Sequence, residues 1–191
     1  TGAGMMDCKK ALTETNGDMD AAVDVLKKSG AAKMEKKQSR IAAEGIARVA
    51  VNGNVAVVAE VNSETDFVAK NETFQEFVQT VADTALASDL NGGANGEDIE
   101  ALLATNGLSD LLVEKTATTG EKLSVRRFAK VTGDAVASYI HGGGRIGVVI
   151  AADGASDDAA KEALTNIAMQ VAAMNPQYIS GNDISAEELA K

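Results

Sequence analysis

The sequence predicts an α+β protein in which a small helical module precedes two hairpin-plus-helix units. Three observations carry this. Two β-rich runs, Ile46 to Val51 and Val55 to Val61, flank Asn52-Gly53-Asn54, and Asn-Gly supplies the positive φ that a tight hairpin turn needs. Phe74, Phe77, Val78 and Val81 then recur at i, i+3, i+4 and i+7, the stripe of a helix with one buried face. The same order returns later, with a hairpin over Val136 to Ala151 followed by a helix carrying Leu164, Ile167, Ala168 and Val171. A displacement of 91 residues lays Val57-Val58 on Val148-Val149, Asp66 on Asp157, and Phe74, Phe77 and Val81 on Thr165, Ala168 and Ala172 without a gap.

The chain opens at Thr1 without Met, in Gly2-Ala3-Gly4, so it reads as a fragment from which an upstream helix has been removed. Met5, Cys8 and Leu12 fall at helical spacing, and Asn16-Gly17 ends that helix. Asp18 caps a second, with Met19, Ala22, Val23 and Leu26 on its apolar face and Gly30 as its close; Lys27-Lys28 in its last turn complement the helix dipole. Two such helices cannot make a core alone, which implies a third before Thr1. The first domain is thus residues 1–30, and Ala31 to Glu44, rich in Ala, Lys, Gln and Glu, reads as a helical or flexible linker.

One half of the core spans residues 45–133: the first hairpin, the phenylalanine helix, a Gly- and Asn-rich loop from Asp89 to Asp98, short helices at Glu97 to Ala104 and Ser109 to Lys115, and a strand at Leu123 to Val131. The other half, residues 134–191, holds the second hairpin and a helix that stops at Asn175-Pro176. Ser185-Ala186-Glu187-Glu188 opens a further helix in the Ser-x-x-Glu manner, so the far end also reads as cut.

Composition excludes several function classes. With 18 Lys and Arg against 28 Asp and Glu, the formal net charge is -10, which disfavours binding that depends on neutralising phosphates; direct nucleic-acid binding is not expected. No apolar run approaches the roughly 20 residues of a membrane span. The single Cys8 cannot form an internal disulfide, and a cytoplasmic location is expected. His141 is the only histidine, so a nucleophilic triad or a multi-histidine metal site would have to use this one residue, and neither catalytic chemistry nor a metal or cofactor is expected. Cys8, on the apolar face of its helix, reads as a buried thiol.

Gly142-Gly143-Gly144-Arg145-Ile146-Gly147 matches the form G-x-G-x-x-G, but here the glycines join two strands, and no helix dipole would point at a phosphate. They read as a hairpin bend with His141 at its edge. Asp157-Asp158, Glu97-Asp98 and Glu187-Glu188 sit where they complement helix N-termini, so no acid–base pair stands out.

The segment Ser63-Glu64-Thr65-Asp66-Phe67-Val68 joins the first hairpin to the phenylalanine helix. Phe67 lies seven residues before Phe74 and can extend the buried stripe. Against that, Lys70-Asn71-Glu72-Thr73 interrupts the apolar pattern, and Thr73-x-x-Glu76 can form a fresh capping box, which leaves Phe67 on a projecting corner. Spacing leaves core and contact evenly matched. An exposed Phe beside an acidic residue on a braced corner has the makeup of an anchor for a partner's pocket.

Three stretches carry a resemblance: Thr1-Gly2-Ala3-Gly4-Met5-Met6-Asp7-Cys8-Lys9-Lys10-Ala11-Leu12, Thr65-Asp66-Phe67-Val68-Ala69, and His141-Gly142 with Arg145-Ile146-Gly147-Val148. With these the chain closely resembles the bacterial elongation factor Ts family, collinearly over essentially its whole length. The resemblance implies a ubiquitin-associated-like helical domain, a linker and two α+β subdomains. It also implies guanine nucleotide exchange on elongation factor Tu, in its GDP-bound and nucleotide-free forms, with release of GDP and magnesium and no catalysis by the factor itself. Asp66 and Phe67, with Thr65 and Val68, match the motif that enters the partner's nucleotide domain. His141 matches a second contact, and Met5, Met6 and Lys9 match an N-terminal contact surface. The oligomeric state is left open between monomer and homodimer. The rival reading is a non-exchanging adaptor whose helical module binds a partner while the core is scaffold.

Overall fold

The computed structural model describes residues 2–190; Thr1 and Lys191 lie outside the described residues. Two helices open the chain, α1 (Met5–Glu14) and α2 (Met19–Glu35). The Asp18 side chain caps α2 by accepting from the Ala21 amide at 3.0 Å, as its position before the apolar run predicts. Gly30, however, does not end this helix. It is buried against α6 (Leu108–Thr119), where an added Cβ would lie 3.0 Å from Val113 Cγ1, so this glycine lets two helices approach closely while α2 runs on to Glu35. The first residues of the expected linker therefore belong to a helix. Lys27 and Lys28 stand mid-helix instead of in a last turn, and Lys27 pairs with Asp110 of α6 at 3.2 Å. Both partners are exposed, so the pair contributes little.

The first hairpin forms as expected: β1 (Glu44–Asn52) and β2 (Val55–Ser63) pair antiparallel from Asn52 opposite Val55 to Glu44 opposite Ser63. Gly53 takes the positive φ in the turn. β3 (Ser124–Thr132) adds antiparallel to β2, giving the order β1-β2-β3. A short helix α3 (Asp66–Ala69) leads into α4 (Glu72–Ala87), which lies across one face of this sheet. All four stripe residues of α4 are buried there against Val57, Ala59 and Val61. The helix is capped by Asn71, whose side chain accepts from the Thr73 and Phe74 amides, and not by the expected Thr73-x-x-Glu76 box. Asparagine two residues upstream wins because its carboxamide reaches both free amides at once.

The Gly- and Asn-rich loop is ordered against β3. The Gly93 amide donates to Phe128 O and Lys130 N donates to Asn91 O, and Gly92 sits so close that a Cβ would lie 2.2 Å from Phe128 O. Asp98 accepts from the Asn91 and Gly92 amides, so it staples this loop where a helix-dipole role was expected. α5 (Ile99–Leu103) and α6 complete the cover of the sheet and bury Leu102, Leu108 and Leu112.

The second unit packs on the opposite face. β4 (Ala135–His141) and β5 (Ile146–Ala152) form a separate two-stranded hairpin that lies on β1 and β2, and α7 (Asp158–Met174) covers its outer side. The layers therefore run α4, three-stranded sheet, hairpin, α7. Contact is tight at Gly147, where a Cβ would come within 2.9 Å of both Ala47 Cβ and Val58 Cγ2. The hairpin-plus-helix order of the first unit recurs here, but with a smaller core: Ala135, Ala137 and Leu164, joined by Ile150 and Ala152. Ala168 is fully buried, whereas Ile167, expected on the same stripe, is half-exposed. The chain ends with a 3-10 turn at Gly181–Asp183 and a short α8 (Ala186–Leu189), whose cap is Ser185 as expected. Among the described residues, no helix is long and apolar enough to cross a membrane.

Candidate partner-binding site

The corner between β2 and α4 is built from its backbone outward. Ser63, fully buried, donates its hydroxyl to Thr65 O at 3.0 Å and turns the chain. Thr65 caps α3, its hydroxyl accepting from the Val68 amide at 3.4 Å while donating to Glu121 Oε1 at 2.5 Å. The other oxygen of Glu121 accepts from the amides of Glu64 and Thr65 at 3.0 and 3.1 Å. One carboxylate from the turn after α6 thus takes three donors of the corner, and charge-assisted bonds of this kind are about twice as strong as neutral ones. The brace is reciprocal. Glu64 Oε1 accepts from the Lys122 amide at 2.5 Å and from Arg40 Nη1 at 3.2 Å, and the Lys122 ammonium in turn donates to the carbonyls of Gln38 and Arg40. The Lys122 amide, with Arg40 behind it, holds the Glu64 carboxyl below its usual range.

On this frame the four residues of the motif divide. Val68 turns inward and packs on the core, and Thr65 is spent on the brace. Asp66 and Phe67 face out. Phe67 is 83% exposed, which decides between the two readings that its spacing left open. Asp66 is partly exposed and pairs with Lys70 one helical turn on, at 2.6 Å; the hydrogen bond from Lys70 lowers its pKa below the ordinary value. A rigid, aromatic side chain standing in water on an over-determined backbone can enter a partner's pocket with little further loss of freedom.

His141 ends β4, exposed, with its Nδ1 2.9 Å from the Tyr139 hydroxyl, which fixes the ring. The turn beyond it is the expected bend: Gly142, Gly143 and Gly144 all have positive φ. The bend is docked on β1, where the Ala47 amide donates to Gly144 O at 2.7 Å. Met5 and Met6 on α1 are 86% and 73% exposed, and Lys9 is exposed beside them. Cys8 is half-buried, not fully buried, with its thiol 3.6 Å from Ala3 O, and Leu12 is likewise only partly covered. Met5, Cys8, Lys9 and Leu12 line one open groove on this helix.

The structure therefore places four of the eight expected contact residues on the corner, with only Asp66 and Phe67 facing out, one on the second hairpin and three on the helical module. Glu121 escaped the sequence reading altogether. Gly120 marks a turn there, but nothing in local spacing tells which segment, 56 residues upstream, that turn will face.

Residues 64–191 match the family model described as Elongation factor TS. The match begins at Glu64, the first residue beyond β2, and takes in the corner, α4, the second hairpin and α7, leaving α1 and α2 outside it. It covers more than half of the chain, and so the chain belongs to the elongation factor TS family, whose place is in translation elongation.

Proposed function

We propose that the chain is a guanine nucleotide exchange factor for elongation factor Tu, acting in the cytoplasm and promoting release of GDP and magnesium without chemistry of its own. The observation that carries this reading is Phe67, exposed at 83% on a corner whose backbone is held by Glu121. An exchange factor must bind the nucleotide-free partner more tightly than the nucleotide-bound one, and the nucleotide weakens the factor by the same ratio. A ten-thousandfold loosening needs roughly 5.5 kcal/mol of differential binding, whereas burying one phenylalanine supplies ~1.5–3 kcal/mol. Phe67 therefore works as one wedge among several contacts. Met5, Met6 and Lys9 dock, His141 engages a second element near the phosphates, and Asp66 brings negative charge toward the magnesium site.

The test is release of a fluorescent GDP from elongation factor Tu, followed with this chain and with Phe67→Ala. Acceleration by the parent and its loss, by about tenfold or more, in Phe67→Ala is expected. No acceleration by the parent overturns the exchange reading. Acceleration that survives in Phe67→Ala removes the wedge.

A further inference from the structure

Two contact elements of the exchange surface, the α3 corner and the His141 turn, belong to different layers of the fold, and one side chain reaches toward both. Arg48, half-buried on β1, donates through Nη1 to Gly143 O at 3.4 Å and through Nη2 to Gln75 Oε1 at 2.9 Å. Gln75, on the first turns of α4, passes the link on: its Nε2 donates to Ala69 O, the last residue of α3, at 3.3 Å. The path thus runs from the glycine turn next to His141 to the carbonyl at the end of the helix that carries Phe67.

Three features single this path out. Among the described residues Arg48 makes no ion pair, so its partly buried charge is spent on carbonyl oxygens, and a cation in that setting binds neutral acceptors more strongly than a neutral donor would. The planar guanidinium directs its two nitrogens apart at a fixed angle, which suits a spacer between two elements better than a flexible ammonium does. Gly144 has no Cβ where one would lie 2.9 Å from Arg48 Nη1, so the turn is shaped to admit the guanidinium.

We infer that Arg48 and Gln75 form a strut that sets the distance between the His141 turn and the Phe67 corner, so that both meet a single nucleotide-binding partner at once. Neither residue touches the partner in this arrangement; both are positioning residues. The inference rests on the exchange reading, because it assumes that Phe67 and His141 act on the same partner.

The experiment is GDP release from elongation factor Tu with the 191-residue chain, Arg48→Met, His141→Ala and the double variant, with thermal unfolding followed in parallel. Methionine keeps the aliphatic stem and removes every donor. Arg48→Met is expected to slow exchange by about tenfold, the order of cost that follows from a misplacement of about an ångström, while the protein stays folded. In the Arg48→Met background, His141→Ala should then cost much less than it does alone, because the turn is already out of place; a purely structural role would leave the two penalties multiplicative. Gln75→Met cuts the same path from the other side and must reproduce both results, and it serves alone if Arg48→Met does not fold. Full exchange in either variant, or multiplicative penalties, overturns the strut. Failure of the unsubstituted chain to accelerate release overturns the exchange reading instead, so the two failures are distinguishable.

Discussion

The two hairpin-plus-helix units share an order of elements and differ in how much they bury. Beneath α4 lie Phe74, Phe77, Val78 and Val81, all essentially inaccessible, in a cluster that extends to Phe128, Leu102 and Leu112. Beneath α7 the corresponding positions are Thr165, Ala168 and Ala172, and the cluster reduces to Ala135, Ala137 and Leu164. The first unit has a three-stranded sheet and two further helices to close its core; the second has a two-stranded hairpin, marginal by itself, and borrows stability by lying on the first. A repeated topology therefore does not imply repeated stability. One copy is a platform, and the other is a smaller arm mounted on it.

The largest expected effect breaks the platform. Phe77→Ala leaves a cavity in the centre of the larger core and should cost ~3–5 kcal/mol, read by chemical denaturation as loss of one cooperative transition for the whole molecule. Leu164→Ala, its nearest equivalent in the arm, should cost ~2–3 kcal/mol, with hydrogen exchange rising first in β4, β5 and α7. Equal costs and equally global exchange would erase the distinction between platform and arm. Next comes Gly144→Ala. Its φ of +109° and a Cβ at 3.0 Å from Ala47 O leave no room, and loss of ~1–3 kcal/mol is expected with the turn lifted from β1.

A smaller effect concerns the brace. The folded-state pKa of Glu64 lies below the ordinary 4.5, so its contribution is present above that value and is lost as pH falls through the lower folded value. Glu64→Gln should unfold at a lower temperature than the parent near neutrality, and the gap should close as pH falls through that lower folded value. A gap that does not change with pH would mean that the carboxylate charge is not what holds the corner. Smallest of all is the stability effect of Phe67→Ala, within about 0.5 kcal/mol, because the ring is already in water; a larger loss would put Phe67 back into the core stripe.

Much of this was legible from the residues. Asn52-Gly53-Asn54 determined the first turn, and the glycines at 142–144 the second, because a positive φ excludes most side chains and so leaves a mark in the text. The α4 stripe and the Asp18 cap were legible for the same reason: each is a local rule with a local signature. Gly30 shows where such rules stop. In spacing it resembles a helix end, and in the fold it is a helix–helix contact, because Val113 of α6, far along the chain, occupies the space beside it.

By itself, then, the sequence determined most of the elements, their order and the two turns, since these follow from backbone sterics and from hydrophobic period over a few residues. Only the tertiary structure decided which way Phe67 points. Its spacing from Phe74 is compatible with core, and its exposure goes with a corner held by Glu121, Lys122 and Arg40, which reach it from distant segments. Long-range hydrogen bonds of this kind have no period, and so they leave no pattern to be read before the chain is folded.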